Sequence, residues 1–415
     1  MIDFERFELD NGLKVIVHRD DSTPIVAVNI LFNVGARDEE SDKTGFAHLF
    51  EHLMFGGSVN IPVYDEPLQM VGGENNAFTS NDITNYYLTL PKTNIETAFW
   101  LESDRMLSLD FSEKSLEVQR SVVIEEFKQR YLNQPYGDVY LLLRPMAFKK
   151  HPYQWPTIGK EVSHIEKATL DDVKAFFKRF YCPNNAIMVV AGDVNKEQVK
   201  ALAEKWFGDI PKGPENNRNL PEEPEQTEAR SLTVERDVPV DAIYKAYHMS
   251  ARGEKGYYAA DLASDILSRG NSSRLHMELI KKQKLFSDIN AYVSGELDKG
   301  LFMVSGKLVK GVDVKTAEEA IEKELDKLIN EKVTDRELNK VKNKVESTLV
   351  FSTMNVSNKA MNLAYFELLG DAALINKEVE NFSKVSAEDI QQEARKIFKS
   401  TNCSTLYYHS KHSKI

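Results

Sequence analysis

Cysteine is nearly absent from these 415 residues, with only Cys182 and Cys403 present. Two thiols exclude a disulfide framework and thiolate zinc sites. No run approaches the ~18 consecutive apolar residues of a membrane-spanning helix. Basic charge is not in excess either: 53 Lys and Arg stand against 64 Asp and Glu, a net charge of −11. General nucleic-acid binding, which needs a basic surface, is therefore not expected. The opening Met1-Ile2-Asp3-Phe4-Glu5-Arg6 lacks the basic-then-apolar pattern of a signal peptide, so a cytoplasmic placement is expected. What is present is the balance of a folded chain, 42% apolar and 28% charged. The length allows roughly two to four domains.

The first forty residues read as strands. Asn11-Gly12 separates the apolar-alternating run ending at Leu9 from Leu13-Lys14-Val15-Ile16-Val17, a hairpin signal because both turn residues tolerate positive φ. A second apolar run spans Ile25 to Val34, and from about Thr44 to Phe55 the period becomes helical until Gly56-Gly57 ends it. A strand pair is expected around Asn76 to Leu90, with helices over Ile95–Leu107, Glu113–Tyr131 and Leu170–Phe180 and a strand at Ile187–Val190. Between Ile210 and Arg230 the composition shifts to Pro, Asn, Glu and Gln, as in a linker. This divides the chain into residues 1–210, a linker at 211–230, and residues 231–415.

The two halves look related. Asp172-Val173 opens a helix leading through Phe180 to Asn184-Asn185 and a strand, and Asp389-Ile390 opens one leading through Ile397 to Thr401-Asn402 and a strand, at a constant offset of 217 residues. A duplicated α+β unit of about 200 residues explains this better than coincidence.

One short segment carries the chemistry. In His48-Leu49-Phe50-Glu51-His52, a rotation of ~100° per residue puts His48, Glu51 and His52 on one helical face. Phe46, Leu49, Phe50 and Leu53 fall on the opposite face and can anchor it. Two His one turn apart can ligate a single zinc ion through neutral ring nitrogens, with the intervening Glu beside the attacking water. This is the inverted form of the zinc-protease motif. The bland alternative is a solvated polar face on an amphipathic helix. A catalytic zinc wants a third protein ligand. Glu125 and Glu126 lie in a helical run, and spacing alone does not choose between them.

The segment Gly45-Phe46-Ala47-His48-Leu49-Phe50-Glu51-His52-Leu53-Met54-Phe55-Gly56-Gly57-Ser58 resembles the zinc helix of the pitrilysin/insulinase family of zinc metallopeptidases, in particular its half-length branch, which includes mitochondrial processing peptidase. Asn76-Ala77-Phe78-Thr79 followed by Thr84-Asn85-Tyr86-Tyr87 resembles the family's substrate-binding strand, and Gln119-Arg120-x-Val122-Val123-x-Glu125-Glu126 its third-ligand segment. His151-Pro152-Tyr153 and Tyr181-x-Pro183-x-Asn185 through Gly192-Asp193 add further matches. The likeness is specific over most of residues 5–215 and mainly architectural over 231–415. It implies two α+β domains, each an antiparallel-rich sheet packed with helices. It implies one Zn²⁺ per chain held by His48, His52 and Glu126, with Glu51 as general base. Asn76, Ala77, Phe78 and Thr79 would pair with a substrate peptide through the main chain. Where the family often has an assisting glutamate, this sequence has Gln119, which can hydrogen-bond near the metal but supplies no charge.

In the second half Asp261, Ser264 and Asp265 take the places of His48, Glu51 and His52, at an offset of 213, and none of the metal chemistry survives. The family's second half supplies an Arg and, seven residues later, a Tyr; here Ile280 and Ser287 stand at those positions, with Lys281 a poor substitute for a guanidinium fork. The resemblance therefore implies a zinc-dependent endopeptidase acting on unfolded peptides or small polypeptides inside a two-chain chamber. The chain would be the catalytic subunit of a heterodimer whose partner brings the missing pair, with a homodimer as the runner-up. The competing readings are a non-catalytic assembly subunit or a peptide-binding module of the same fold.

Overall fold

The Asn11-Gly12 turn forms where the sequence expects it. In the computed structural model, which describes residues 1–412, Gly12 has φ +87° and a Cβ there would lie 2.8 Å from the Asn184 Cβ. Backbone conformation and space both require glycine. The turn joins β1 (Glu5–Glu8) to β2 (Lys14–Arg19). With β3 (Ile25–Phe32), β4 (Glu74–Thr79), β5 (Thr84–Pro91) and β6 (Ala186–Gly192) these build a sheet of order β1-β2-β6-β3-β5-β4. β2 and β6 are parallel and the other pairs antiparallel.

A second sheet comprises β7 (Arg230–Arg236), β8 (Ala242–His248), β9 (Phe286–Val293), β10 (Leu301–Leu308) and β11 (Cys403–Ser410) in the order β7-β11-β8-β10-β9. Its one parallel pair is β7 with β11. Aligning the parallel pairs places β7, β11, β8, β10 and β9 in the roles of β2, β6, β3, β5 and β4. The α+β class and the duplicated architecture are as expected.

The helices that position the site and close the cores are α1 (Phe46–Leu53), α2 (Glu113–Phe127), α3 (Val139–Ala147), α4 (Leu170–Phe180), α5 (Lys255–Ser268), α6 (Val356–Leu368) and α7 (Ala387–Ile397). Capping repeats across the halves: α4 opens with a capping box of Thr169 and Asp172, α7 with one of Ser386 and Asp389. The Asn185 amide donates to the Phe180 carbonyl and the Asn402 amide to the Ile397 carbonyl, both at 2.8 Å. Each of these pairs keeps the offset of 217.

The compact units do not follow the linker composition alone. One comprises residues 1–128, 155–220 and 349–377, the other 129–154, 221–348 and the described residues from 378 to 412. The contiguous division at 211–230 therefore needs correction, although one of the crossings does fall inside that stretch. The physical cause is where two apolar helix faces are buried. Val356, Ala360, Leu363 and Ala364 of α6 share a core with Ile16, Ala27, Leu31, Val189 and Ala191 of the first sheet. Val139, Leu143 and Ala147 of α3 share one with Ala242, Ala246, Leu301 and Leu406 of the second. Among the described residues no helix is long and apolar enough to cross a membrane.

Candidate metal centre

The motif helix α1 buries Phe46, Ala47, Leu49, Phe50 and Leu53. Phe50 stacks on Phe176 of α4 at 5.2 Å and on Tyr181 at 4.9 Å. With that face fixed, the imidazoles point the other way, as the helical period requires. No side chain caps the helix from the residue before it, because Gly45 lies at φ +90° and a Cβ there would come within 2.7 Å of the Ile158 carbonyl oxygen. Instead the buried carboxylate of Glu39 accepts from the Gly45 N–H at 2.8 Å and the Ala47 N–H at 2.9 Å. Burial pushes the Glu39 carboxyl up to about 8, against the opposing pull of those two donors and the Trp155 indole.

His48, His52 and Glu126 converge, with one potential ligand atom from each lying within 4.8 Å of the others. His48 Nε2 is 3.7 Å and His52 Nε2 3.4 Å from Glu126 Oε2. Geometry also separates the adjacent glutamates: Glu125 is exposed and paired with Lys128 at 2.8 Å, turned toward solvent. Two imidazoles and a carboxylate, with a fourth position left to water, form the ligand set of a catalytic zinc, so the residues present fit that metal. Gln119 lies two turns before Glu126 on the same face of α2, its amide nitrogen 3.7 Å from where a Cβ on Gly56 would be.

Glu51 is half-buried beside this triad, and the Thr79 hydroxyl donates to its Oε2 at 2.5 Å. Burial raises the Glu51 carboxyl, while that hydroxyl and His52 act to lower it. Thr79 ends β4, the edge strand, which pairs only with β5 among the described residues. Burial alternates along β4: Ala77 and Thr79 are the more covered, while Asn76 and Phe78 face outward. The expected substrate strand is thus an open edge, and Thr79 has a second role beside the motif glutamate that the sequence did not signal. Neither did it signal Glu39.

In the second unit α5 holds between β8 and β9 the place that α1 holds between β3 and β4. Asp261, Ser264 and Asp265 turn inward there. The Ser264 hydroxyl donates to the Asp261 carbonyl, and Arg269 donates to Asp265 at 3.2 Å. Burial and the Asp265 charge push the Asp261 carboxyl up to about 6. No second group of potential metal ligands occurs among the described residues. Ile280 falls in a π-helical turn, His276–Lys282, and Ser287 lies on the edge strand β9, its hydroxyl donating to the Lys307 carbonyl at 3.1 Å.

Comparison with known proteins agrees with this layout. The zinc protease PqqE of Helicobacter pylori is 31% identical over 413 residues, covering 97% of this chain and 92% of that protein. The chain belongs to the M16 peptidase family. The profile described as Insulinase (Peptidase family M16) matches residues 14–160, and that described as Peptidase M16 inactive domain matches 167–345. The second match runs into the half without metal ligands. An uncharacterized zinc protease of Bacillus subtilis, YmxG, is 24% identical over 398 residues, 95% of each chain. The crystal structure of a protease from Helicobacter pylori superposes with a TM-score of 0.92 at 30% identity, covering 98% of this M16 chain and all of that one. Pitrilysin shares the fold, with a TM-score of 0.76 at 18% identity; the chain covers 45% of its length.

Proposed function

We propose that this M16 chain is a zinc-dependent endopeptidase that hydrolyses unfolded peptides and small polypeptides. The observation that carries the reading is the placement of Glu51 between two potential ligands and against Thr79. A structural site has no use for an oriented carboxylate next to the metal. His48, His52 and Glu126 would hold Zn²⁺, which when bound supplies Lewis acidity to the attacking water and the scissile carbonyl. Glu51 takes a proton from that water at a carboxylate oxygen and returns it to the leaving amine nitrogen. Thr79 fixes the carboxylate's orientation. The open edge of β4 pairs with the peptide main chain, which favours extended, unfolded substrates over folded ones.

The chain would act as one of a pair. Ile280 and Ser287 stand where the resemblance calls for Arg and Tyr, and this departure supports a heterodimer in which a second half-length chain supplies those contacts. Glu51→Gln tests the assignment. Zinc content and fold should be retained while cleavage of a long unstructured peptide is lost. Hydrolysis that survives in this variant would remove Glu51 from its role.

A further inference from the structure

Thr79 meets Glu51 from the last position of β4, and the chain on both sides of it is tied to one segment. Ser80, Asn81 and Asp82 make the turn from β4 to β5, and that turn closes on itself. The Ser80 N–H donates to the Ile83 carbonyl at 2.8 Å, and the Ser80 hydroxyl accepts from the Asp82 and Ile83 N–H groups at 3.1 Å. Residues Val34 to Arg37 then grip it from outside. The Ala36 N–H donates to the Ser80 carbonyl at 3.2 Å and the Arg37 N–H to the Asn81 carbonyl at 2.9 Å. The hydroxyl of Thr84, opposite Thr79 in the ladder, donates to the Val34 carbonyl at 3.0 Å. The Arg37 guanidinium meets the Asp82 carboxylate at 3.1 Å, with both side chains buried. Gly35 lets the two backbones touch. Its φ of −150° suits any residue, yet a Cβ there would lie 2.5 Å from the Asn81 carbonyl and the Asp82 nitrogen. Space alone requires glycine here.

The same segment reaches the motif helix. Two residues after Arg37, Glu39 takes the Gly45 and Ala47 N–H groups at the start of α1. All of these residues lie within 1–128 of the first unit. Residues 34–39 therefore bridge the strand that carries Thr79 and the helix that carries Glu51. A buried ion pair contributes little net stability, because desolvation offsets much of its attraction, and the hairpin is closed without it. What the pair adds is a fixed geometry. We infer that Gly35, Arg37 and Asp82 are positioning residues for the proposed hydrolysis: they clamp the β4–β5 turn to the segment that caps α1 and so keep the Thr79 hydroxyl on Glu51. The inference rests on the role proposed above for Glu51.

Two changes loosen the clamp in different ways. Gly35→Ala wedges a methyl group between the two backbones and leaves the ion pair's side chains in the chain. Arg37→Met with Asp82→Leu removes both charges together, so that neither partner of the pair is left buried without the other. Each is made in the full-length, zinc-loaded protein, with and without Thr79→Val, and scored by kcat and KM on a long unstructured peptide. Each should lower kcat about tenfold with zinc content retained. Neither should lower it further in the Thr79→Val background, because effects that pass through one contact do not add. Losses that multiply with that of Thr79→Val, or an unchanged kcat in both cases, would overturn the inference. A crystal structure of Gly35→Ala reads the same point without activity: the Thr79 hydroxyl should have left Glu51, and a bond still in place would equally overturn it. An unaltered zinc-loaded chain that cleaves no peptide defeats the peptidase reading instead, and the crystal structure then decides the clamp by itself.

Discussion

The carboxyl that caps the motif helix should make the protein less stable as pH rises. Glu39 is pushed from 4.5 to about 8 because burial costs its charged form more than the Gly45, Ala47 and Trp155 donors return. The folded state then holds a proton that the unfolded chain has already released between those two values. With more protons bound in the folded state, stability is full below pH 4.5 and declines until about pH 8. The slope is at most roughly 1.4 kcal/mol per pH unit, a total on the order of several kcal/mol. Glu39→Gln cannot ionise and should remove this pH dependence, although its single amide oxygen can accept from only one of the Gly45 and Ala47 N–H groups. Urea unfolding of the metal-free protein at pH 5.5, 6.5 and 7.5 separates the cases: the unaltered chain should lose stability with pH more steeply than the variant. Parallel pH profiles for the two proteins would refute the reasoning. They would mean that the backbone donors at the start of α1 fully offset the burial, leaving Glu39 an ordinary anionic cap.

Two further outcomes follow from the centre itself. Glu126→Gln should weaken zinc binding by more than the roughly 10- to 100-fold typical of outer-sphere partners, whereas Glu125→Gln should leave it unchanged; chelator competition measures both, and equal effects would contradict the solvent-facing placement of Glu125. Thr79→Val keeps the shape and removes the hydroxyl bonded to Glu51, a charge-assisted bond worth about 1.5–3 kcal/mol. It should lower kcat for peptide cleavage by about 10- to 100-fold with zinc affinity intact, and an unchanged kcat would show that Thr79 does not orient the base.

Much of the metal centre was legible because its ligands obey a local period. His48, Glu51 and His52 share a helical face, and the apolar stripe of Phe46, Leu49, Phe50 and Leu53 shows which face is buried. Glu126 was legible only through the resemblance, since two adjacent glutamates on one helix differ by about 100° of rotation and only packing decides which turns inward. Glu39 and the bond from Thr79 to Glu51 were not legible at all. Each joins residues separated by loops or strands, and neither a period nor a spacing encodes such a contact. The boundary at 211–230 was misread as the whole division for a related reason. Linker composition reports solvation of that stretch, and it is silent about helices whose apolar faces are buried in the other half's unit.

That exchange gives the second half a role that does not depend on chemistry. Val139, Leu143 and Ala147 stand at the same offset of 217 from Val356, Ala360 and Ala364, so the helix that crosses units is itself part of the duplicated pattern. Leu363 and Ala364 are fully buried within the core of the sheet whose unit carries the motif helix. Burying one Leu contributes about 1.5–3 kcal/mol, and the face of α6 as a whole contributes several, a large share of the roughly 5–15 kcal/mol by which a folded domain is stable. Residues 1–210 without α6 would expose Ala27, Leu31, Val189 and Ala191 to water. The second half can therefore do without metal ligands, with Asp261, Ser264 and Asp265 in their places, while its α6 positions that complete the first half's core are held by packing.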